Sequence, residues 1–283
     1  MAVSEQSKLV VSKRVTLSPT TFWRIREELP KRLTGILSTI SILVPLGVWW
    51  LITQLSWAPP LFLPQPASVV QALGRLWQNG ILQTDVTMSV MRVLVGFVLA
   101  LLISIPLGVL MGTFPSIQSL LEPFIAVVRY MPAPAFIPLL ILWLGLGEAP
   151  KITLIFIGTL FFNTLMVADA VKFVPNDWLA AAYTLGANRL QVLLTVIAPA
   201  VLPSVIDAAR VNLAASWNLV IIAELVAATS GLGFRILKAQ RFLHTDEIFA
   251  SLILIGLIGV AFDVSFRLLQ RWLCPWVEAF HQK

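Results

Sequence analysis

Long uninterrupted apolar stretches are the feature that most constrains this chain. The stretch from residue 86 to residue 112 contains one charged side chain, Arg92. About 20 apolar residues are enough for a helix to cross the hydrocarbon core of a bilayer, and a segment in lipid must satisfy its own backbone hydrogen bonds. Only 12% of the residues are charged, against about 25% in a typical soluble domain. The sequence therefore predicts an all-α integral membrane protein.

The apolar stretches predict about six transmembrane helices. The first follows a basic segment and could be a signal peptide, but its length and the lack of a cleavage site favour an uncleaved span. The predicted spans are residues 36–57, 86–112, 120–146, 152–168, 192–228 and 248–269.

The distribution of lysine and arginine predicts the orientation. Seven basic residues lie within 1–33, so this segment is predicted to be a cytoplasmic N-terminal tail. Residues 34–85 then form the first transmembrane helix and an outer connection with a short surface helix. Residues 86–275 form the core domain, and residues 276–283 form a cytoplasmic C-terminal tail. Three basic residues on the predicted outer side oppose this orientation: Arg235, Lys238 and Arg241.

The composition gives no support for catalysis by the chain itself. One cysteine and two histidines allow neither an internal disulfide nor a Cys/His metal site. The sequence contains no phosphate-binding G-x-x-x-x-G-K-[ST] loop. We therefore expect no metal, no bound cofactor and no enzyme activity in this chain, and no nucleic-acid partner.

The segment VPNDWLAAAYTLGANRLQ, residues 174–191, predicts a short helix between two membrane spans. Asp177 is its expected N-cap, and Gly186 stands where a left-handed residue can end a helix. Arg189 would begin the next helix, and Pro199 and Pro203 are predicted to kink it. From spacing alone, an amphipathic helix lying in the membrane interface is the favoured interpretation. One face of the short helix would carry Trp178, Ala181, Ala182 and Leu185.

The same segment resembles the "EAA" loop of ABC-transporter permease subunits, whose pattern is E-A-A, three residues, G, nine residues, I-x-L-P. Ala180–Ala182, Gly186 and Pro199 stand at the matching positions. The chain departs from the pattern at Ala180, where the family has glutamate, and at Val196 and Ala198. Residues 87–112, 121–152, 209–236 and 245–263 also resemble permeases of nitrate, sulfonate, taurine and bicarbonate importers.

This resemblance implies a type I importer permease fold and a defined set of partners. These are a second copy of the chain, two ATP-binding subunits that hold ATP and Mg²⁺, and an extracytoplasmic substrate-binding protein. The short helix near 177–190 would be the coupling helix that docks on the ATPase. The implied coupling residues are Asp177, Trp178, Ala181, Ala182, Leu185, Gly186 and Arg189, with Pro199 and Pro203 as a hinge.

Polar residues within the spans have two readings. Asp169/Lys172, Asp207/Arg210 and Asp263/Arg267 are spaced to pair on one helix face. Arg129 has no evident local partner and precedes an irregular proline-rich segment, so it is a candidate anion-attracting residue or an anchor at a helix end. The other candidates for the substrate pathway, which could equally join helices together, are Asn163, Asn212, Ser216, Trp217 and Asn218.

Three classes of function are therefore compared. The first is the permease subunit of an ATP-driven importer in the bacterial inner membrane, moving a small oxyanion such as nitrate, nitrite, a sulfonate, taurine or bicarbonate. The second is a self-sufficient secondary carrier or channel, for which an internal repeat would be expected and none is visible. The third, a membrane-embedded enzyme, lacks clustered catalytic side chains. We expect the first.

Overall fold

A computed structural model describes residues 29–277, so most of the predicted N-terminal tail and residues 278–283 lie outside the described residues. The described chain is helical, with short connections. Its helices are α1 Lys31–Gln54, α2 Pro66–Gln78, α3 Ile81–Thr113, α4 Pro115–Arg129, α5 Ile137–Leu144, α6 Ala149–Lys172, α7 Asn176–Thr184, α8 Arg189–Gln191, α9 Ala198–Ala227, α10 Leu232–Arg241 and α11 Thr245–Leu273.

The chain divides into two units after Trp57. The first unit contains α1, whose 24 residues are enough to cross a bilayer. Its apolar side chains are mostly exposed, Leu43 and Val44 among them. Exposed leucine and valine along a helix of this length indicate a surface for lipid or for another membrane helix.

The second unit is built on three long helices, because α6 packs along both α3 and α9. Glycines on α3 permit the close approach to α6. A Cβ atom at Gly96 would lie 2.8 Å from the carbonyl oxygen of Ile152, and one at Gly108 would lie 2.6 Å from that of Thr164. Small residues at such contacts let membrane helices approach backbone to backbone, where van der Waals packing holds them together.

The apolar core of this unit lies where α3, α6 and α9 meet. Val93 and Phe97 of α3 pack with Ile155 of α6 and with Leu213 and Val220 of α9. Residues of α11 pack against this core from outside and are only partly buried. The three central helices therefore form the core of this unit.

The predicted third span, residues 120–146, is not one continuous helix, and the irregularity predicted at its prolines is present. The chain instead forms α4 and α5 with a short 3-10 turn, Ala133–Phe136, between them, and the two parts are bent by 83°. Pro132, Pro134 and Pro138 explain the break, because proline removes a backbone donor and clashes with the preceding helical turn. The bent pair is either one broken span or a re-entrant loop.

The other predicted spans each coincide with a long apolar helix, so the described chain has five such helices, or six with the bent pair. The structure extends several of them beyond the predicted ends. The fifth runs without interruption from Arg189 to Val226. The predicted surface helix within 57–80 is also present, as α2.

Candidate functional site

The short helix α7 lies between α6 and α9, as predicted, but it begins earlier than expected. Its N-cap is Pro175, and Asp177 stands within the first turn and makes no capping hydrogen bond. The N-cap assignment for Asp177 is therefore wrong. Pro175 sets the extended conformation that precedes the helix. A carboxylate in the first turn remains favourable there through the helix dipole.

Gly186 ends α7 in the predicted manner. Its φ is +83°, its N–H donates to the carbonyl of Tyr183, and the N–H of Ala187 donates to the carbonyl of Ala182. These two bonds form a Schellman motif, in which a left-handed residue after the helix satisfies the last free carbonyls. The turn that follows α7 therefore depends on a conformation that glycine adopts without strain.

The predicted docking face of α7 is largely free of contacts with the rest of the chain. Trp178 is 53% exposed and Leu185 is 89% exposed, and Ala181 is also exposed. Ala182 differs, because it packs with Leu179 against the apolar cluster at this end of α6 and α9. The helix is thus held from one side and presents a small apolar surface on the other.

The next helix begins with a capping box. The side chain of Asn188 accepts from the N–H of Gln191, whose side chain accepts from the N–H of Asn188. Arg189 begins α8, as predicted. A π-helical turn, Val192–Ile197, then connects α8 to α9.

Pro199 follows this π-helical turn at the start of α9, and Pro203 lies within α9. A π turn and two prolines each weaken the regular hydrogen-bond ladder, and both are common causes of bends in helices. The segment beside α7 is therefore the part of this long helix that deforms most easily. Its action as a hinge stays a prediction.

Arg129 ends α4 at the break between α4 and α5, and its side chain is exposed. Its guanidinium lies 4.9 Å from the ring centre of Tyr130, and within residues 29–277 no carboxylate forms a salt bridge with it. It borders a small cavity shared with Gly158 and Phe161 from the middle of α6. An exposed arginine therefore stands at mid-depth in the helix bundle.

Among the other predicted pathway residues, the structure brings several together inside the unit. Asn212 donates to Asn163 across α9 and α6 at 2.7 Å, and Ser216 donates to the carbonyl of Asn212 at 3.2 Å. All three are buried. In this conformation Asn212 and Asn163 join α6 to α9, while the bond of Ser216 lies within α9. Their contact with a substrate stays a prediction.

Trp217 and Asn218 lie apart from the hydrogen-bonded group of Asn163, Asn212 and Ser216. They border a cleft of about 280 Å³ between α9 and α11, together with Arg210 and Asp263. The indole N–H of Trp217 is buried and has no hydrogen-bond partner in the described chain. Asn218 is exposed.

The predicted ion pairs on single helices are present. Lys172 lies 3.2 Å from Asp169, and Arg267 lies 2.8 Å from Asp263. Arg210 contacts Asp207 and also reaches Asp263 on α11, at 3.3 Å in each case. These partly exposed pairs neutralise charge within the spans. The Arg210–Asp263 pair also links α9 to α11.

The sequence analysis missed a cluster of six charged side chains at the end of the bundle opposite α7. Its members are mostly buried and come from four helices and from the residue before α6. The sequence pointed to Arg92 as the one charge within residues 86–112 and to Arg235 as a charge opposing the orientation, but not to their meeting in one buried cluster. The charge cluster consists of Asp85, Arg92, Glu148, Lys151, Glu224 and Arg235.

Arg92 is the centre of the charge cluster, and its side chain is fully buried. Its Nη1 donates to Glu224 at 2.7 Å and to the carbonyl of Ser230 at 2.7 Å. Its Nε and Nη2 donate to the two carboxylate oxygens of Glu148 at 2.5 and 2.9 Å. The guanidinium therefore links α3 to α9 and to the start of α6.

Glu224 and Ser89 bind the first turn of α10, and Glu224 lies against Gly231 in the loop before it. The N–H of Gly233 donates to Glu224 at 2.8 Å, and the N–H of Leu232 donates to Ser89, whose hydroxyl donates to Glu224 at 2.7 Å. Gly231 has a φ of +118°, and a Cβ there would lie 2.4 Å from Glu224. The loop thus requires glycine at this position for both conformation and space.

Asp85 completes the attachment of this loop. It accepts from the N–H of Gly231 and from the Nε of Arg235, both at 2.8 Å. The four-residue spacing of Arg235 from Gly231 brings both donors to one carboxylate. A sequence signal existed, since charged residues inside long apolar spans are costly and rarely unpaired, but their partners are far away in sequence.

Hydrogen bonds from Arg92, and then from Lys151, lower the pKa of Glu148 to about 2, although burial opposes this effect. Glu148 is therefore ionised throughout the physiological pH range. Among the described residues, no group of three or more His, Cys, Asp or Glu side chains is placed to hold a metal ion.

Comparisons with known proteins identify the family. Residues 104–279 match the model of the binding-protein-dependent transport system inner membrane component family. The chain belongs to this family. It is an integral protein of the inner membrane and the permease component of an ABC importer, as the resemblance implied.

Two relatives from Escherichia coli (strain K12) are similar over most of the chain. The taurine transport system permease protein TauC is 35% identical over 89% of this chain and 92% of its own length. The putative aliphatic sulfonates transport permease protein SsuC is 33% identical over 85% and 92%.

A solved structure confirms the fold. An inward-facing MetNI methionine ABC transporter superposes with a TM-score of 0.62 at 20% identity, covering 68% of this chain and 95% of that chain. The expected type I importer permease fold is therefore confirmed.

Proposed function

We propose that this importer permease carries a small sulfonate, with taurine and short alkanesulfonates as the candidate substrates. The observation that carries the proposal is the 35% identity to a taurine permease across nearly the whole chain. The similarity to an aliphatic sulfonate permease extends over almost the same length. Both substrate classes share a sulfonate group.

The proposed transporter contains two copies of this chain, two ATP-binding subunits and an extracytoplasmic binding protein. ATP and Mg²⁺ bind to the ATPase subunits, and this chain has no catalytic activity of its own. The exposed face of α7 supports this division of labour. Trp178, Ala181 and Leu185 offer a small apolar surface on a firmly seated helix, which suits docking into a cleft of a partner.

The proposed orientation places α7 in the cytoplasm and the charge cluster at the outer side. The basic residues within 1–33 support it through the positive-inside rule. The burial of Arg235 in a salt bridge with Asp85 supports it further. A neutralised arginine contributes little to the charge of the outer surface, so one of the three residues that opposed this orientation no longer does so.

The proposed substrate pathway passes the break between α4 and α5. An arginine in hydrocarbon costs about 2.5–3.5 kcal/mol on insertion scales, so lipid is an unfavourable surrounding for the exposed side chain of Arg129. Irregular backbone at membrane depth is tolerated where it is buried in protein or lines a water-filled cavity. Both arguments support a position of this face against the second copy or an aqueous path.

Reconstitution tests the proposed function. The chain, purified with its ATPase partner, would be placed in proteoliposomes with the binding protein, and uptake of radiolabelled taurine and ethanesulfonate would be measured with and without ATP. ATP-dependent uptake is expected. A chain that purifies alone and transports solute without ATP would overturn the proposal in favour of a secondary carrier.

Changing Arg129 to alanine is expected to reduce sulfonate uptake about tenfold or more, because a hydrogen bond to a charged group contributes about 1.5–3 kcal/mol. Assembly with the ATPase should persist, since Arg129 makes no salt bridge among the described residues. Initial rates in proteoliposomes measure the effect. Arg129→Lys, which keeps the charge, is the matched control and should retain more activity; unchanged kinetics in Arg129→Ala would return this residue to an anchoring role.

A further inference from the structure

The charge cluster is electrically balanced, with three acidic and three basic members. Five of the six side chains are 9% exposed or less. Glu148 is the exception, at 38% exposed. Glu148 is therefore the member of the charge cluster that an anion from solution can approach.

The Glu148 side chain can move without moving α6. Its backbone is fixed as the N-cap of that helix, because its carbonyl accepts from the N–H of Ile152 at 3.0 Å. Its side chain makes no capping hydrogen bond to α6. Rotation about the side-chain bonds can therefore withdraw the carboxylate from Arg92 and Lys151 while the backbone stays in place.

The departure of Glu148 would leave two buried cations short of a partner. Arg92 would keep Glu224 and the Ser230 carbonyl, but its Nε and Nη2 would lose the Glu148 carboxylate. Lys151 is 4% exposed, and Glu148 accepts its hydrogen bond at 3.0 Å. Leaving a buried charge unpaired is strongly unfavourable, so an anion from outside would be drawn into the position of the carboxylate.

A sulfonate has the properties that this position requires. It carries one negative charge, as the Glu148 carboxylate does, so the exchange leaves the cluster balanced. Its oxygens can accept two parallel hydrogen bonds from a guanidinium, the arrangement that arginine forms with carboxylate and phosphate. A third oxygen remains for the ammonium group of Lys151.

We propose that Arg92 and Lys151 form an acceptor site for the sulfonate at the end of the bundle opposite α7, with Glu148 as its displaceable internal counter-ion. The proposal rests on the proposed function, because it takes the transported oxyanion as the ligand. Glu148 occupies the site when no substrate is present. Its carboxylate withdraws by side-chain rotation when a sulfonate arrives.

The test uses Glu148→Gln in the complete transporter, because glutamine keeps the shape of the side chain and removes its charge. While the Glu148 carboxylate occupies the site, only the fraction of protein from which it has withdrawn can bind a sulfonate. The apparent affinity for the sulfonate is reduced by that fraction. The KM for taurine uptake is therefore expected to fall about tenfold, with a smaller change in kcat. Glu122→Gln is the matched control, because Glu122 is an exposed carboxylate on α4 that accepts a hydrogen bond from Gln118, and its KM should not change.

Binding is measured separately from transport. The melting temperature of the detergent-purified complex is recorded with millimolar ethanesulfonate and with chloride at the same ionic strength. Ethanesulfonate is expected to raise the melting temperature of Glu148→Gln more than that of the wild type or of Glu122→Gln. Equal shifts in the three proteins, or an unchanged KM in Glu148→Gln, would overturn the acceptor site.

The two proposals can fail independently. A wild-type transporter that moves no sulfonate overturns the proposed substrate, while a selective ethanesulfonate shift in Glu148→Gln still supports an anion site. A wild type that transports taurine, beside a Glu148→Gln variant that loses melting temperature and uptake together at unchanged KM, overturns the acceptor site. In that case Glu148 is a structural member of the cluster.

Discussion

Changing Gly186 to proline is expected to lower ATP-dependent uptake at least about tenfold while the protein still inserts into the membrane. Proline fixes φ near −65° and has no N–H, at a cost of about 3 kcal/mol in an incompatible position. Gly186 has φ +83° and donates to Tyr183. The variant therefore loses both the conformation and one bond of the motif that ends α7.

The uptake should fail because the helix would no longer present a single surface to the ATPase. The last turn of α7 carries Leu185, which is the most exposed of its large apolar side chains. Unwinding this turn would displace the docking face but leave the central packing of α3, α6 and α9 intact. Membrane insertion, measured by extraction and fractionation, is expected to stay normal.

Gly186→Asn is the control for this experiment. Asparagine visits the left-handed conformation more readily than other non-glycine residues, and the space around Gly186 is open. This variant should therefore retain most of the uptake. Normal uptake by Gly186→Pro would rule out the coupling role proposed for α7.

The second large effect is expected at Arg92, where a change to methionine should destabilise the protein by about 3–5 kcal/mol, the usual loss when one partner of a buried ion pair is removed. Glu224 is fully buried and would keep only its bonds with Ser89 and the N–H of Gly233. The loop before α10 would also lose its link to Arg92 through Ser230. The melting temperature in mild detergent measures the loss.

Two further variants separate charge from packing. Arg75→Met removes an exposed arginine that pairs with Asp246 at 2.7 Å, and it should cost less than about 1 kcal/mol, as surface pairs do. The double variant Arg92→Met with Glu224→Gln removes the uncompensated charge and should recover part of the stability. A single Arg92→Met variant that melts with the wild type would contradict the buried pairing.

The features predicted correctly from sequence depend on neighbours in the chain. Hydrophobic length predicted the spans, because the bilayer sets a minimum number of apolar residues. Gly186 was placed correctly at the end of α7, because the left-handed conformation after a helix selects glycine. Ion pairs three or four residues apart were also found, since helical geometry alone brings them together.

The errors arise where local signals compete. Asp177 has the chemistry of an N-cap, but Pro175 begins the helix before it. The third span satisfies the length and hydropathy of a transmembrane helix, yet it is bent by 83°. Hydropathy measures transfer into the membrane and contains no information about direction, so the prolines indicated an irregular segment but not the angle of the bend.

The sequence by itself determined the membrane class and the number of apolar segments, because both follow from apolar length. It also determined the end of α7 and the ion pairs within single helices, because both follow from helix geometry over a few residues. Only the tertiary structure decided which distant polar residues meet. Arg92 lies 132 residues from Glu224 and Asp85 lies 150 from Arg235. The packing of α3 with α9 and α10 brings these partners within hydrogen-bond reach. The charge cluster and the exposed position of Glu148 therefore became visible only when the helices were assembled.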